Sequence, residues 1–141
     1  MNALSLSQAR SLIDGALAAA RSAGFRPMGV VVVDSAAQVV ASAREDGATA
    51  LRLDIALGKA AAAVGMGASS RVLTQRAKDL PVFFTALAAA SQQKFIPQTG
   101  AVLITDATGA VIGAAGASGG TGDEDEQIVI AGIASAGLSH A

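Results

Sequence analysis

The sequence predicts a mixed α/β chain of the α+β class, with an antiparallel sheet and with helices segregated to one face or to the ends of that sheet. Two segments that each resemble a β-hairpin followed by a helix support this prediction. Residues 30–43 (VVVVDSAAQVVASA) align without a gap with residues 102–115 (VLITDATGAVIGAA). Asp34 and Asp106 begin the two connections, where an aspartate can accept hydrogen bonds from its own turn. The similarity fits either a repeated unit or two independent hairpins of the same chemistry.

The first half of the chain is predicted to hold a helix, a hairpin and a second helix. Apolar residues recur at helical spacing over 5–22, and a glycine and a proline follow. Residues 28–34 (MGVVVVD) form an uninterrupted β-branched run, typical of a buried strand, and residues 39–44 form its return. Residues 48–67 are helical and rich in small side chains. One face of this helix contains Leu53, Ala56, Leu57, Ala60 and Val64.

The second half repeats the hairpin after two short helices. Ser70 is expected to cap the first of these helices, and Pro81 to occupy the first position of the next. The predicted elements of this half are helices over 70–78 and from 81 onward, strands over 101–105 and 110–117, and a final helix over 123–138.

Composition excludes several classes of site. The 141 residues fit one domain, 1–141, and 52% of them are hydrophobic, many of them alanine, which predicts close contacts between backbones. Cysteine, tryptophan and tyrosine are absent, and ten basic residues nearly balance eleven acidic ones. We therefore expect no disulfide and no nucleic acid partner. The start does not resemble a signal peptide and no apolar stretch reaches membrane-spanning length, so we expect a cytoplasmic protein with no membrane partner.

The most unusual stretch is GASGGTGDEDE, at 116–126, where a glycine-rich run meets four consecutive acids. Thr121 and Glu124 have the spacing of a capping box, and acids in the first turn of a helix interact favourably with its dipole. The run lacks the features of a phosphate-binding loop. Helix capping therefore explains the acids as a set, although Asp125 or Glu126 could instead face a ligand or a neighbouring subunit.

Three other places could support chemistry. Arg44 and Asp46, in AREDGA, could bind a carboxylate and transfer a proton, or form only a turn and a cap. Lys59 lies among small apolar residues, where it could act as a base or form a Schiff base, or instead pair with an acid. His140, the only histidine, is expected to be disordered near the end of the chain. No metal site is predicted.

These segments together resemble the GlcG/HbpS family, which also occurs as the C-terminal domain of PduO-type proteins. The most specific element is G-x-V-I-G-A-x-G-x-S-G-G-x-x-x-x-D-E, which spans 109–126, and the second is R-x-D-G-A at 44–48. The resemblance implies a profilin- or PAS-like antiparallel sheet of about five strands with flanking helices. It also implies homo-oligomers, often octamers, and binding of haem or another tetrapyrrole.

The resemblance assigns a candidate site by matching motif positions. The matched residues are Arg44, Asp46, Lys59, Gly119, Gly120, Asp125 and Glu126. In a small-ligand-binding protein, all but Asp46 would contact the ligand. In the alternative, a cytoplasmic isomerase, hydrolase or deaminase, Arg44 would bind the carboxylate of a small metabolite while Asp46, Lys59 or Glu126 transfers a proton. A third reading makes these residues structural, joined as ion pairs.

Overall fold

The computed structural model describes residues 3–92 and 94–141 of the chain. In chain order the elements are α1 (Leu6–Ala23), β1 (Gly29–Asp34), β2 (Val39–Arg44), α2 (Arg52–Met66), α3 (Ser70–Asp79), α4 (Pro81–Ala90), β3 (Ala101–Thr105), β4 (Val111–Ser118), α5 (Gly122–Ser135) and β5 (Ser139–His140). Among these elements, no helix combines the length and the apolar character that crossing a bilayer requires.

The strands form one antiparallel sheet in the order β2-β1-β4-β3-β5, which confirms the α+β class and the two hairpins. Asp34 accepts hydrogen bonds from two backbone N–H groups of its turn, and Asp106 does the same in the second hairpin. The pairing register also shifts at matching places, between Val32 and Val33 and between Ile104 and Thr105. The two hairpins therefore share their turn chemistry and their bulge position.

Helices cover both faces of the sheet, so the expectation that they lie on one face or at the ends was wrong. One core cluster joins α1 and α5 to alternate β1 residues such as Val30 and Val32. Val31 and Val33 point the other way and pack against α2. The unbroken valine run of β1 reflects this burial on both sides. Helices α3 and α4 lie beyond α2, where Phe84 and Phe95 pack with Ala62 and Leu73.

Small residues bring the helices very close to their neighbours, as the alanine-rich composition predicts. A Cβ atom added to Gly116 of β4 would lie 2.4 Å from the carbonyl oxygen of Ala56 in α2. A Cβ atom added to Gly132 of α5 would lie 2.4 Å from the carbonyl oxygen of Leu12 in α1. The predicted apolar face of α2 is confirmed, because all five of its members belong to the cluster on this side of the sheet.

Three local expectations differ from the structure. Ser69 rather than Ser70 is the residue that precedes α3. The final helix ends at Ser135 instead of 138, because Gly137 adopts a positive φ of 72° and turns the chain. His140 is ordered in β5, where it pairs with Ile104.

One edge of the sheet is closed by side chains and by the end of the chain. The buried Ser70 hydroxyl accepts a hydrogen bond from the Ala101 N–H (2.7 Å) and donates to the Ala101 carbonyl (3.1 Å). Ser69 accepts from the Leu103 N–H (3.0 Å), and the Ala141 N–H donates to the Leu103 carbonyl (3.1 Å). Together with β5, these groups satisfy the outer side of β3.

Candidate functional site

A buried ion pair lies between α2 and the start of α5. Lys59 Nζ lies 3.0 Å from Asp125 Oδ2, and their side chains are 4% and 2% exposed. Lys59 also donates to the Ala117 carbonyl (3.0 Å), while Asp125 Oδ1 accepts the Gly120 N–H (2.9 Å). Burial raises the pKa of the Asp125 carboxyl, and Lys59 and the Gly120 N–H act against that rise. The pair joins α2, β4 and the glycine loop.

Glycines make room for this ion pair and its loop. A Cβ atom at Gly100, where φ is 135°, would lie 2.8 Å from Lys59 Nζ and 3.0 Å from Asp125 Cβ. A Cβ atom at Gly119 would lie 2.4 Å from the Pro27 carbonyl oxygen. The backbone therefore packs directly against Lys59 and against the segment that enters β1.

The loop leads into α5 through the predicted capping box, which is confirmed. The Thr121 hydroxyl accepts from the Glu124 N–H (3.1 Å), and the Glu124 carboxylate accepts from the Thr121 N–H (2.9 Å). Because these two side chains satisfy each other's backbone groups, the acids of the first turn are explained in part by helix capping, as the sequence predicts.

Arg44 and Asp46 lie in a separate, open cleft. This cavity of about 460 Å³ is lined by Arg21, Pro27, Arg44, Glu45 and Asp46. Arg44 donates to the Ala48 carbonyl (2.6 Å), and no acidic side chain of the described residues forms an ion pair with it. Glu45 is already engaged, since it accepts from the Met28 N–H (2.8 Å) and pairs with Arg21 (2.9 Å). Arg44 therefore has donors available for an added anion.

The open cleft and the ion pair lie at the same end of the sheet. Gly29 of β1 pairs with Arg44 on one side and with Ser118 on the other. Arg52 packs directly over Gly29, because a Cβ atom added to Gly29 would lie 3.1 Å from the Arg52 backbone. The Arg52 guanidinium also donates to the Ser118 hydroxyl (3.2 Å). Ser118 directly precedes the Gly119-Gly120 loop. The Arg44 cleft and the Lys59–Asp125 ion pair therefore lie near each other, separated by the width of β2, β1 and β4.

Glu126 contacts neither Arg44 nor Lys59. Its carboxylate accepts from the Arg71 guanidinium (2.9 and 3.1 Å), and the same guanidinium contacts Asp123. This exposed cluster ties α3 to the first turn of α5. Of the seven predicted residues, the structure thus brings together Lys59, Gly119, Gly120 and Asp125, places Arg44 and Asp46 in the cleft, and places Glu126 elsewhere.

Three residues of this region were missed from the sequence. Gly100 follows Pro97 in an irregular segment, and no local pattern connects it with Lys59. Arg52 and Arg71 are surface-type residues at the starts of two helices, and their partners lie 66 and 55 positions away in sequence. The one available signal is complementarity: Arg52 and Arg71 are donors at two helix starts, and the stretch 118–126 contains a hydroxyl and acids that can accept from them.

The comparisons place this architecture among known structures. The family model described as "Haem degrading protein HbpS-like" matches residues 4–134. HbpS is 29% identical over 95% of this chain and 90% of its own, with a TM-score of 0.82. A double mutant of Streptomyces reticuli HbpS is 30% identical over 95% of this chain and 87% of its own, also at 0.82.

A third structure shares the fold. The PduOC:haem complex is 24% identical, the two chains cover 98% of each other, and the TM-score is 0.86. No curated protein sequence matches the chain. Because the family model covers almost the whole sequence, the chain belongs to the HbpS-like family.

Proposed function

We propose that the chain is a small-ligand-binding protein of the GlcG/HbpS type, and that it binds a carboxylated tetrapyrrole such as haem at the Arg44 cleft. The observation that supports this proposal is the guanidinium of Arg44, held by the Ala48 carbonyl and exposed in a cleft without an ion-pair partner among the described residues. Arginine binds carboxylates through two parallel hydrogen bonds, which suits a propionate group. The family description and the haem complex of PduOC add to this support.

The residues present fit the carboxylates of haem better than its iron. His140 lies on β5, at the opposite edge of the sheet from Arg44 on β2. Lys59 is engaged with Asp125, and Met28 is fully buried. Within residues 3–92 and 94–141, no three His, Cys, Asp or Glu side chains are grouped to hold a metal ion. We therefore propose recognition through the propionates, with Gly119 and Gly120 at the margin of the site and with Lys59 and Asp125 holding that loop in place. Glu126 has no contact with this site and binds Arg71 instead.

Titration with haemin and with metal-free protoporphyrin IX tests this proposal. If the carboxylates dominate recognition, both compounds should bind with Kd values within about threefold of each other, because both have two propionates. Arg44→Ala should weaken both about tenfold or more, consistent with the loss of a charge-assisted contact worth about 1.5–3 kcal/mol. Arg76→Ala, at an exposed arginine on α3, serves as the matched control and should leave both affinities unchanged. Equal binding by wild type and Arg44→Ala would contradict the proposal.

A second candidate function is an enzyme that acts on a small carboxylated metabolite. The observation that favours it is Asp46, which lines the same cleft as Arg44. With the substrate carboxylate bound by Arg44, Asp46 could accept a proton from another atom of the same substrate. Lys59 is paired with Asp125 and Glu126 with Arg71, so Asp46 is the acid–base group of this proposed enzyme. Asp46→Asn separates the two functions: it should leave porphyrin affinity unchanged or raise it, but it should abolish turnover of any substrate.

We also propose that the chain acts as one domain, 1–141, and assembles into a homo-oligomer, and the octamer that the resemblance implies is the size to test. The support for self-association is the resemblance to the GlcG/HbpS family, whose model matches residues 4–134. The cytoplasmic location and the lack of a nucleic acid partner stay predictions from the sequence. Light scattering coupled to gel filtration measures the assembly directly, against the 13.8 kDa mass of one chain.

A further inference from the structure

The β2 edge of the sheet has backbone groups that face away from the sheet. The Glu45 N–H donates to the Met28 carbonyl (2.9 Å), which fixes the alternation of hydrogen-bonded positions along the β1–β2 pair. By the same alternation, the backbone N–H and C=O groups of Ala43 and Ala41 point towards β1, opposite Val30 and Val32. The backbone N–H and C=O groups of the intervening residues Ser42 and Arg44 therefore point outward.

This edge lacks the protection that the opposite edge has. The outer side of β3 is satisfied by Ser69, Ser70 and the terminal strand β5. Along β2, the described residues donate no hydrogen bond to the outward groups of Ser42 and Arg44 and accept none from them. The strand is VVASAR, with no proline or lysine and with one charge at its end, whereas exposed edges usually contain such blocking residues.

The surface beside this edge has balanced charges. A groove between α1 and β2 is lined by Leu6, Arg10, Ile13 and Asp14 from the helix and by residues 40–43 from the strand. Arg10 and Asp14 are exposed, and neither forms an ion pair with another described residue. A two-fold axis normal to the sheet would bring two such grooves together, and the opposite charges of Arg10 and Asp14 make this surface complementary to a second copy of itself.

From these observations we infer that β2 pairs antiparallel with β2 of a second copy of this chain, and that the two sheets join into one of ten strands. The register centred on Ser42 sets the outward-facing Ser42 opposite Ser42 of the partner subunit, in a hydrogen-bonded pair. It also keeps Arg44 away from Arg44 of the partner subunit, whose like charge would be unfavourable directly opposite. The inference specifies one interface of the self-association proposed above, and it depends on that proposal.

Substitutions at Ser42 test the interface without disturbing the subunit. Ser42→Pro removes only an outward N–H, which an edge strand tolerates, and Ser42→Lys sets two like charges opposite each other. Both variants should keep the wild-type circular dichroism spectrum and at most half of the wild-type assembled mass. Ser22→Lys, at an exposed serine near the end of α1, is the matched control and should keep the full mass.

Cysteine crosslinking tests the register. The native chain has no cysteine, and residues in a hydrogen-bonded antiparallel pair have Cα atoms about 5.5 Å apart, which a disulfide can bridge. Ser42→Cys should therefore give a covalent dimer on mild oxidation, whereas Thr85→Cys on the apolar helix α4 should not. A crosslink from Thr85→Cys alone, or Ser42 variants that retain the full mass, would overturn the β2 interface only. A wild type of monomeric mass would overturn self-association itself.

Discussion

Lys59→Met should cost about 3–5 kcal/mol of unfolding free energy, the largest loss we expect from one substitution in this chain, because it leaves the Asp125 carboxylate buried without its cation. The Asp125 side chain is 2% exposed, and its carboxylate lies against the Gly119-Gly120 loop that leads into α5. Urea denaturation at pH 7.5 measures the loss. The double variant Lys59→Met/Asp125→Asn is the control, because the amide oxygen can still accept the Gly120 N–H without a buried charge. It should recover most of the stability, and a double variant as unstable as the single one would contradict this explanation.

The pH dependence of Lys59→Met follows from the pKa of Asp125. Burial already raises this pKa above its usual value of 3.8, and removal of Lys59 takes away an influence that lowers it. A carboxyl whose pKa is raised by folding contributes most to stability below its unfolded pKa, and that contribution is lost as pH rises through the folded pKa. Lys59→Met should therefore regain stability, relative to wild type, when pH falls from 7.5 towards 5. The double variant should show no such gain.

Gly116→Ala should destabilise the fold by about 1–3 kcal/mol or more, because the added methyl group would lie 2.4 Å from the Ala56 carbonyl oxygen. The atom in its way belongs to the α2 backbone, so the helix must move away from the sheet. Gly65→Ala is the matched control, because Gly65 is exposed in α2 with no atom within 4 Å of its Cβ position. It should stabilise the chain by about 0.5–1 kcal/mol. Denaturation midpoints that move in the same direction for both variants would contradict this account of the packing.

The sequence predicts local structure well because local patterns determine it. The two hairpins follow from β-branched runs and from aspartates that bond their own turns, and the cap of α5 follows from the spacing of Thr121 and Glu124. The layers around the sheet could not be predicted in the same way. The side on which α2 packs depends on how the crossover between β2 and β3 runs, which no periodicity within either segment specifies.

The candidate site shows the same division between local and distant information. The pairing of Lys59 with an acid is one of the alternatives that the sequence offers, but the choice of Asp125 over Glu126 depends on which residues near the start of α5 face inward. Arg71 binds Glu126 because the fold brings the start of α3 within side-chain reach of the start of α5, a placement that long-range packing decides. The motif positions therefore predict one end of the sheet as the site, but how their residues divide among a buried ion pair, an open cleft and the Arg71 cluster depends on long-range packing.

The serines that cover β3 have a consequence for solubility during folding. Strand β3 (AVLIT) has no charge, proline or glycine, a composition typical of segments that stack between chains. The part of its edge at Ala101 and the Leu103 N–H is shielded only when α3 has docked and Ser69 and Ser70 have bound these backbone groups, while β5 covers the rest. We expect Ser70→Ala to turn cloudy at lower temperature than wild type in heated solutions, ahead of the loss of helical signal. Docking of α3 thus protects a folding chain from aggregation through the edge of β3.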